Sequence, residues 1–421
     1  MKATDNRRER VEMTFDVERH RADFPSLQRL IGGKPAAYLD GPGGTQVPRS
    51  VMTAMNHYYE TCNANTHGQS VTSIETDACL DQARETMAAF LGALSPSCIS
   101  FGANMTSLAF PLSRGLARLM QPGDEVVITD LDHEANRSPW QTLAEHGAVV
   151  HSVKMTAEGR IDMDELRAAI NPKTKIVAVG GSSNALGTAN DLMTIRQWSR
   201  AVGAWLIIDA VHYAPHFPID VAKLDPDFLL CSAYKFYGPH VGILYSRPGL
   251  LTQVPTDKVR PQYAEGPFRI ETGTLNHAAI CGVTAAAEYI ASAGQGETLY
   301  DRIHSGIAAI HSHEMGLARR LYDGLTSIPE VKVYGLPVGT ELRAPTISFR
   351  VQNLTPQEVA QFLGEHGLCV SCGSFYADRV TETLGLHDTG GFVRIGISLY
   401  NTVGEVDRVI DCLKALIGRN A

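Results

Sequence analysis

The sequence predicts an α/β protein: a mostly parallel central sheet covered by helices on both faces, followed by a smaller α+β domain at the C-terminus. Three observations predict it. From about residue 120, short β-branched runs alternate with segments of helical spacing, the pattern of strands joined by crossover helices. The 421 residues exceed what one compact core organises, so a large and a small domain sharing a cleft are expected. After about residue 295 the regular alternation stops and a different texture begins.

Taken in order, residues 1–35 read as an N-terminal arm that joins the small domain, 36–295 as the large domain and 296–421 as the small one. In the large domain EVVIT (125–129), VVHSVK (149–154), KIVAV (175–179), WLIID (205–209), FLLCS (228–232) and GILYS (242–246) read as strands. MDELRAAI (163–170) and LMTIRQWSRAV (192–202) read as helices between them. The small domain opens with a long amphipathic helix over roughly 304–325. Strand-like KVYG and PTISFRV, a helix at 355–365, strand VRIGIS and a final helix from about 402 follow. In open parallel sheets ligands bind beyond the carboxyl ends of the strands, so functional residues are expected just after each apolar run.

Composition narrows the function. A net charge of −8, with no basic run beyond RRER at 7–10, argues against nucleic-acid or anionic-membrane partners. No stretch of about 18 uninterrupted apolar residues is present to span a membrane. The charged N-terminus lacks the apolar segment of a secretion signal, and the eight scattered cysteines suit reduced thiols, so a cytoplasmic location is expected. Small molecules are the expected ligands.

The strand ends carry the candidate chemistry. Lys235 follows FLLCS within three residues and precedes the turn FYGPHVG. A lysine held at the end of a buried strand can lose its proton and form Schiff bases with carbonyl compounds; a lysine simply paired to an acid is the alternative. Asp209 closes WLIID, and an acid there can hold a proton on a pyridine nitrogen, making the ring a better electron sink. EVVIT leads into DLDHEANRSPW, where His133 is a flat ring able to stack on a cofactor. KIVAV leads into GGSSNALGT, where Asn184 can bind an oxyanion or carboxylate. Taken alone, a His or Asn after a strand is more often a satisfied turn residue. Together they are the parts of a pyridoxal phosphate site. FGANMTSLAF (101–110) opens a helix with small residues, so the backbone N–H groups of 103–106 can bind phosphate, and Ser232 adds a hydroxyl nearby.

The ordered segments YLDGPGGTQVP, FGANMTSLAF, DHEAN, SSNALGT, DAVHYAPHFPIDVAKLDPDFLLCSAYKFYGPHVGILY, ETGT and VRIGISLYNT resemble class V aminotransferases of fold type I, most closely their cysteine desulfurase-like branch. The resemblance spans about residues 24 to 417. It implies pyridoxal 5'-phosphate as cofactor, an amino-acid substrate and catalysis by Lys235 and His133. Lys235 would form the Schiff base, Asp209 would pair with the pyridine nitrogen and His133 would stack on the ring. His212 falls where the family usually has a glutamine bonding the phenolic oxygen, and Ser232, Asn104 and Met105 would hold the phosphate. Thr274, in ETGT, matches a residue that reaches the neighbouring subunit's phosphate, which implies a homodimer with shared sites. Arg394 matches the arginine that clamps the substrate carboxylate, assisted by Asn184.

One segment departs from the family. GLCVSCGSFYA (367–377), whose counterpart usually has the form GIAVRTGHHCA, puts Tyr376 where the persulfide-carrying cysteine belongs. Ser371 replaces a second substrate-facing arginine, Cys372 falls four positions before Tyr376 and Cys369 three earlier still. Desulfurase-like or carbon–sulfur lyase chemistry without the loop thiol is therefore expected, with Tyr376 as a catalytic hydroxyl donor. Transamination, epimerisation and non-catalytic cofactor binding are the alternatives. Cys369 and Cys372 lack the second cysteine pair of a zinc site, and no metal is expected. In HYAPH (212–216) Pro215 argues against two histidines on one helix face, and HSHE (311–314) reads as a solvated helix face.

Overall fold

The computed structural model describes residues 15–339 and 341–420; the RRER run and the first part of the arm lie outside the described residues. Seven strands form the large sheet: β1 (Ile99–Gly102), β2 (Glu125–Thr129), β3 (Val149–Val153), β4 (Thr174–Gly180), β5 (Trp205–Asp209), β6 (Phe228–Ser232) and β7 (Gly242–Ser246). Their spatial order is β1-β7-β6-β5-β4-β2-β3. All pairs are parallel except those of β7, which runs antiparallel to both β6 and β1. The six expected strands form within two residues of their limits, and β1 is a seventh that the small-residue loop reading passed over.

The helices cover both faces of this sheet. Val127, Val177, Val179, Leu206, Ile208, Leu229 and Cys231 enter one apolar cluster, while Val126, Ile128, Ile176, Ala178, Ile207, Phe228 and Leu230 enter another. The alternation along each strand is the period of two, and because both faces are dry the strands read as continuous apolar runs. Each fully buried Ile or Leu contributes roughly 1.5–3 kcal/mol of transfer free energy. Of the helices, α1 (Met105–Ala117) starts at Asn104, whose Oδ1 accepts from the Ser107 N–H at 2.8 Å while the Ser107 hydroxyl accepts from the Asn104 N–H at 3.1 Å. The helix α2 (Leu192–Val202) ends at Gly203 in the left-handed conformation, φ 73°.

The C-terminal part holds α3 (Leu299–Thr326) and a four-stranded antiparallel sheet of β8 (Val331–Tyr334), β9 (Thr346–Val351), β10 (Ser371–Gly373) and β11 (Phe392–Gly396), in the order β8-β9-β11-β10. The helices Pro356–Glu365 and Val403–Asn420 complete it. Near the N-terminus Ala37–Tyr38 pairs in parallel with Leu368–Cys369, and Ala37 and Leu39 enter the apolar cluster of this smaller sheet. The loop that follows, Asp40 to Thr45, therefore bridges the two sheets. No helix among the described residues is long and apolar enough to cross a membrane.

Ile207, fully buried at the centre of β5, tests how the sheet is held. Ile207→Ala should cost about 2–5 kcal/mol, read as a fall in the denaturant midpoint of unfolding.

Candidate active site

The strand ends and the smaller sheet enclose a cavity of about 920 Å³. Every expected site residue except Thr274 lines it: Asn104, Met105, His133, Asn184, Asp209, His212, Ser232, Lys235, Tyr376 and Arg394. Thr274 is exposed and lies outside its own chain's cavity.

Lys235 reaches the cavity because β6 ends at Ser232 and a short 3-10 turn, Ala233–Lys235, redirects the chain. Its Nζ donates to the Pro42 carbonyl and sits 4.7 Å from the Tyr234 ring centroid. Burial, reinforced by the Arg394 guanidinium, pushes its ammonium down to about 7, against the opposing pull of Asp40 and Asp209. Asp209, at the end of β5, accepts from the Val211 N–H at 2.8 Å, and burial raises its carboxyl to about 6.

The loop after β2 is pinned from below. Arg137 is buried and pairs with Asp130 at 2.9 Å; Asp132 accepts from the Gly180 N–H at 2.9 Å and from the Asn136 amide at 3.0 Å. His133 is thereby turned into the cavity. Its Nδ1 accepts from the Ala135 N–H at 3.0 Å, which puts the ring proton on Nε2. Burial, with Lys235 and Arg394 adding to it, pushes the imidazole down to about 4, so the ring is neutral at neutral pH.

At the N-terminus of α1 the Met105 N–H donates to Ser232 Oγ at 2.9 Å, and the Asn104 N–H to Ser107. Two of the four backbone groups expected to face a phosphate are thus already bonded. Ser232, accepting there, keeps its own proton free, and Thr106 also faces the cavity. Gly242 lies against this turn, where any Cβ would collide with the Asn104 backbone.

Arg394, on β11, is 3% exposed. Its Nη2 pairs with Asp40 at 2.7 Å, its Nη1 donates to the Asn184 carbonyl at 3.2 Å and its carbon lies 3.9 Å from the Phe375 ring centroid. The Asn184 amide donates to the Phe375 carbonyl at 3.0 Å. Phe375 and Tyr376 both adopt left-handed backbone, φ 60° and 55°, an uncommon conformation for two such bulky residues in succession. The bond from Asn184 and one from the Glu134 N–H to the Tyr376 carbonyl, 2.7 Å, hold the loop so. Tyr376 is 73% exposed at the cavity mouth, its ring centroid 5.6 Å from that of His133.

No cysteine lines this cavity. Cys369 lines a neighbouring one of about 460 Å³, Cys372 packs on the smaller sheet's core, and burial raises both thiols.

The structure corrects one expectation and supplies two omissions. HSHE is not a solvated face: Glu314 is fully buried, its carboxylate 2.7 Å from His216 Nδ1 and 3.4 Å from the Tyr237 hydroxyl. The reason is that α3 packs this face under the large sheet's strand ends. His216 stands edge-on to His212, 5.3 Å between centroids, and His212 Nε2 meets the Thr346 hydroxyl at 3.0 Å. Asp40 and Asp132 were the omissions; Asp40 follows the apolar run AAYL as Asp209 follows WLII, so the same rule would have found it. Among the described residues no group of three or more His, Cys, Asp or Glu is arranged to hold a metal ion.

Comparison with known proteins gives the family. A family model described as Aminotransferase class-V matches residues 37–409. The chain belongs to the class V aminotransferases. A cysteine desulfurase of Serratia proteamaculans is 32% identical over 420 residues, covering 96% of this chain and 99% of that one. A probable cysteine desulfurase of Synechocystis is 33% identical, with 94% of each chain covered. Among solved structures, the apo cysteine desulfurase of Thermococcus onnurineus superposes with a TM-score of 0.85 at 29% identity, over 95% of this chain and 98% of that one. A C-DES mutant with glycine covalently linked to its PLP cofactor shares the fold, with a TM-score of 0.77 at 19% identity over 93% of this chain and 98% of that one. The protein is a cysteine desulfurase-like, pyridoxal-phosphate-dependent enzyme of this family.

The cavity fits that cofactor on its own evidence. It offers an amine near neutrality, an acid at a strand end, a neutral ring and a helix N-terminus, and the buried Ser182 Oγ, Asn184 Oδ1 and Arg394 Nε have no partner among the described residues. Because the neutral amine of Lys235 grows as pH rises through about 7, the rate of pyridoxal phosphate attachment there should be half-maximal near that pH. Borohydride trapping and peptide mass mapping read it. Asp209→Asn removes an anion that favours the ammonium and should move the midpoint lower.

Proposed function

We propose that the protein acts on an amino-acid substrate through Lys235, by carbon–sulfur lyase chemistry that releases the sulfur as sulfide, or by desulfurase-like chemistry in which an acceptor thiol from outside the loop at 367–377 takes the sulfur as a persulfide. The observation that supports this reading is the cavity itself: Lys235, Asp209, His133, Arg394 and Tyr376 converge there, and among the described residues no cysteine lines it.

When bound, pyridoxal phosphate supplies an electron-accepting ring that stabilises negative charge on the substrate's Cα. Lys235 would hold the cofactor's aldehyde carbon, and its neutral Nζ would take the substrate's Cα proton; an amine poised at about 7 is well matched to both tasks. Asp209 would hold a proton on the pyridine nitrogen. The neutral His133 ring would stack on the cofactor, and His212 would bond its phenolic oxygen. Ser232 Oγ, through its own proton, and Thr106 would hold the phosphate at the first turn of α1, where Asn104 and Met105, their N–H groups bonded to Ser107 and Ser232, would shape the cradle. Arg394 and Asn184 orient the substrate carboxylate, and the Tyr376 hydroxyl protonates the leaving group. The exposure of Thr274 outside its own cavity supports a homodimer in which it reaches the partner's phosphate, and eight unpaired cysteines support a reducing, cytoplasmic setting.

Purified holoenzyme should show a visible absorption band that borohydride removes and that Lys235→Ala never acquires. A screen of amino acids reading sulfide, pyruvate, ammonia and racemised product together assigns the reaction; ammonia-free amino exchange or racemisation alone would move the assignment to an aminotransferase or epimerase. Cys369→Ala and Cys372→Ala should each keep most of the turnover. Loss of turnover in either, with folding and cofactor content intact, would return the chemistry to a thiol.

A further inference from the structure

Arg394 is not free to receive a substrate. Its Nη2 already holds Asp40 Oδ1 at 2.7 Å, and the other oxygen of Asp40 accepts from the Ser371 hydroxyl. Ser371 stands where the family resemblance places a second arginine, so the carboxylate region has one guanidinium and that one is engaged. The loop is shaped for this: a Cβ at Gly43 would collide with the Asp40 carboxylate, and the next carbonyl but one, that of Pro42, takes the Lys235 ammonium. The side chain of Asp40 is 27% exposed whereas that of Arg394 is 3% exposed, so Asp40 is the member of the pair with room to move.

The charges facing this spot are Lys235 and Arg394 against Asp40 and Asp209, with His133 and His212 held neutral by burial. A substrate carboxylate arriving at Arg394 beside Asp40 places two anions on one guanidinium, which disfavours it; an amine without that carboxylate meets no such repulsion.

We propose that Asp40 is a specificity-determining residue, an internal carboxylate that a substrate carboxylate must displace from Arg394, so that the enzyme discriminates weakly between α-amino acids and the corresponding simple amines. This rests on the reading of Arg394 as the carboxylate site. Asp40 acts by occupying Arg394, with Ser371 keeping it docked.

The test compares L-alanine with ethylamine, each titrated into holoenzyme and followed by the change in the cofactor's visible spectrum. Wild type should show a dissociation-constant ratio within about tenfold. Asp40→Asn, which keeps the shape and the bond to Ser371 but removes the anion, should tighten L-alanine about tenfold and leave ethylamine within about twofold. Ser371→Ala should move the ratio the same way by a smaller factor. An unchanged ratio in Asp40→Asn, or loss of affinity for both ligands alike, would reduce Asp40 to a structural role and overturn the proposal. Propionate titrated calorimetrically into the cofactor-free protein gives a second readout: tighter binding by Asp40→Asn supports the proposal, and equal binding overturns it. If neither L-alanine nor ethylamine changes the wild-type spectrum, it is the catalytic reading that fails, while the propionate comparison still decides the role of Asp40.

Discussion

The candidate site depends on one amine kept out of water. Lys235 is charged in solution; in this fold it is enclosed between a sheet end and a loop, with a guanidinium on one side and two carboxylates on others, and its charge becomes optional near neutrality. The rest of the architecture serves that enclosure. The large sheet brings Asp209 and Lys235 to the same rim through adjacent parallel strands, and the smaller sheet closes the cavity with Arg394. The loop at 40–45 ties the two together and contributes to the lysine's hydrogen bonding.

Burial acts on the other titratable groups in the same direction, toward the uncharged form. His133 is kept neutral and so presents a ring face rather than a second cation beside Lys235. Asp132 is raised to about 7 by burial, with Asp209 adding to the effect. Behind the cavity Glu314 and His216 form a buried hydrogen-bonded pair, the arrangement by which a carboxylate is tolerated in a dry core. His212 packs against that pair and faces the cavity, so the interior polar chain and the site are continuous.

The loop at 374–377 is held in an uncommon backbone conformation by contacts from the large sheet's side. Two successive left-handed residues are held by hydrogen bonds to their carbonyls from Asn184 and Glu134, on two different large-sheet loops. That geometry puts a phenol at the mouth while the nearby thiols face elsewhere, one into a neighbouring cavity and one onto the core of the smaller sheet.

What the sequence by itself determined is local. Six of the seven large-sheet strands, the helices between them and the placement of Lys235, Asp209, His133 and Asn184 at or just beyond strand ends follow from apolar runs and the residues that punctuate them, and these are readable over a few positions. Only the tertiary structure decided what depends on partners from distant chain. HSHE has the composition of a wet helix face, yet Glu314 is dry because His216, 98 positions away, packs onto it. Asp40 and Arg394 are 354 positions apart, so no local pattern marks their pairing. The same holds for the cysteines, whose spacing is legible but whose direction is set by the sheet they pack on. Charge state, pairing and burial are properties of the enclosed volume, and that volume exists only once both sheets are in place.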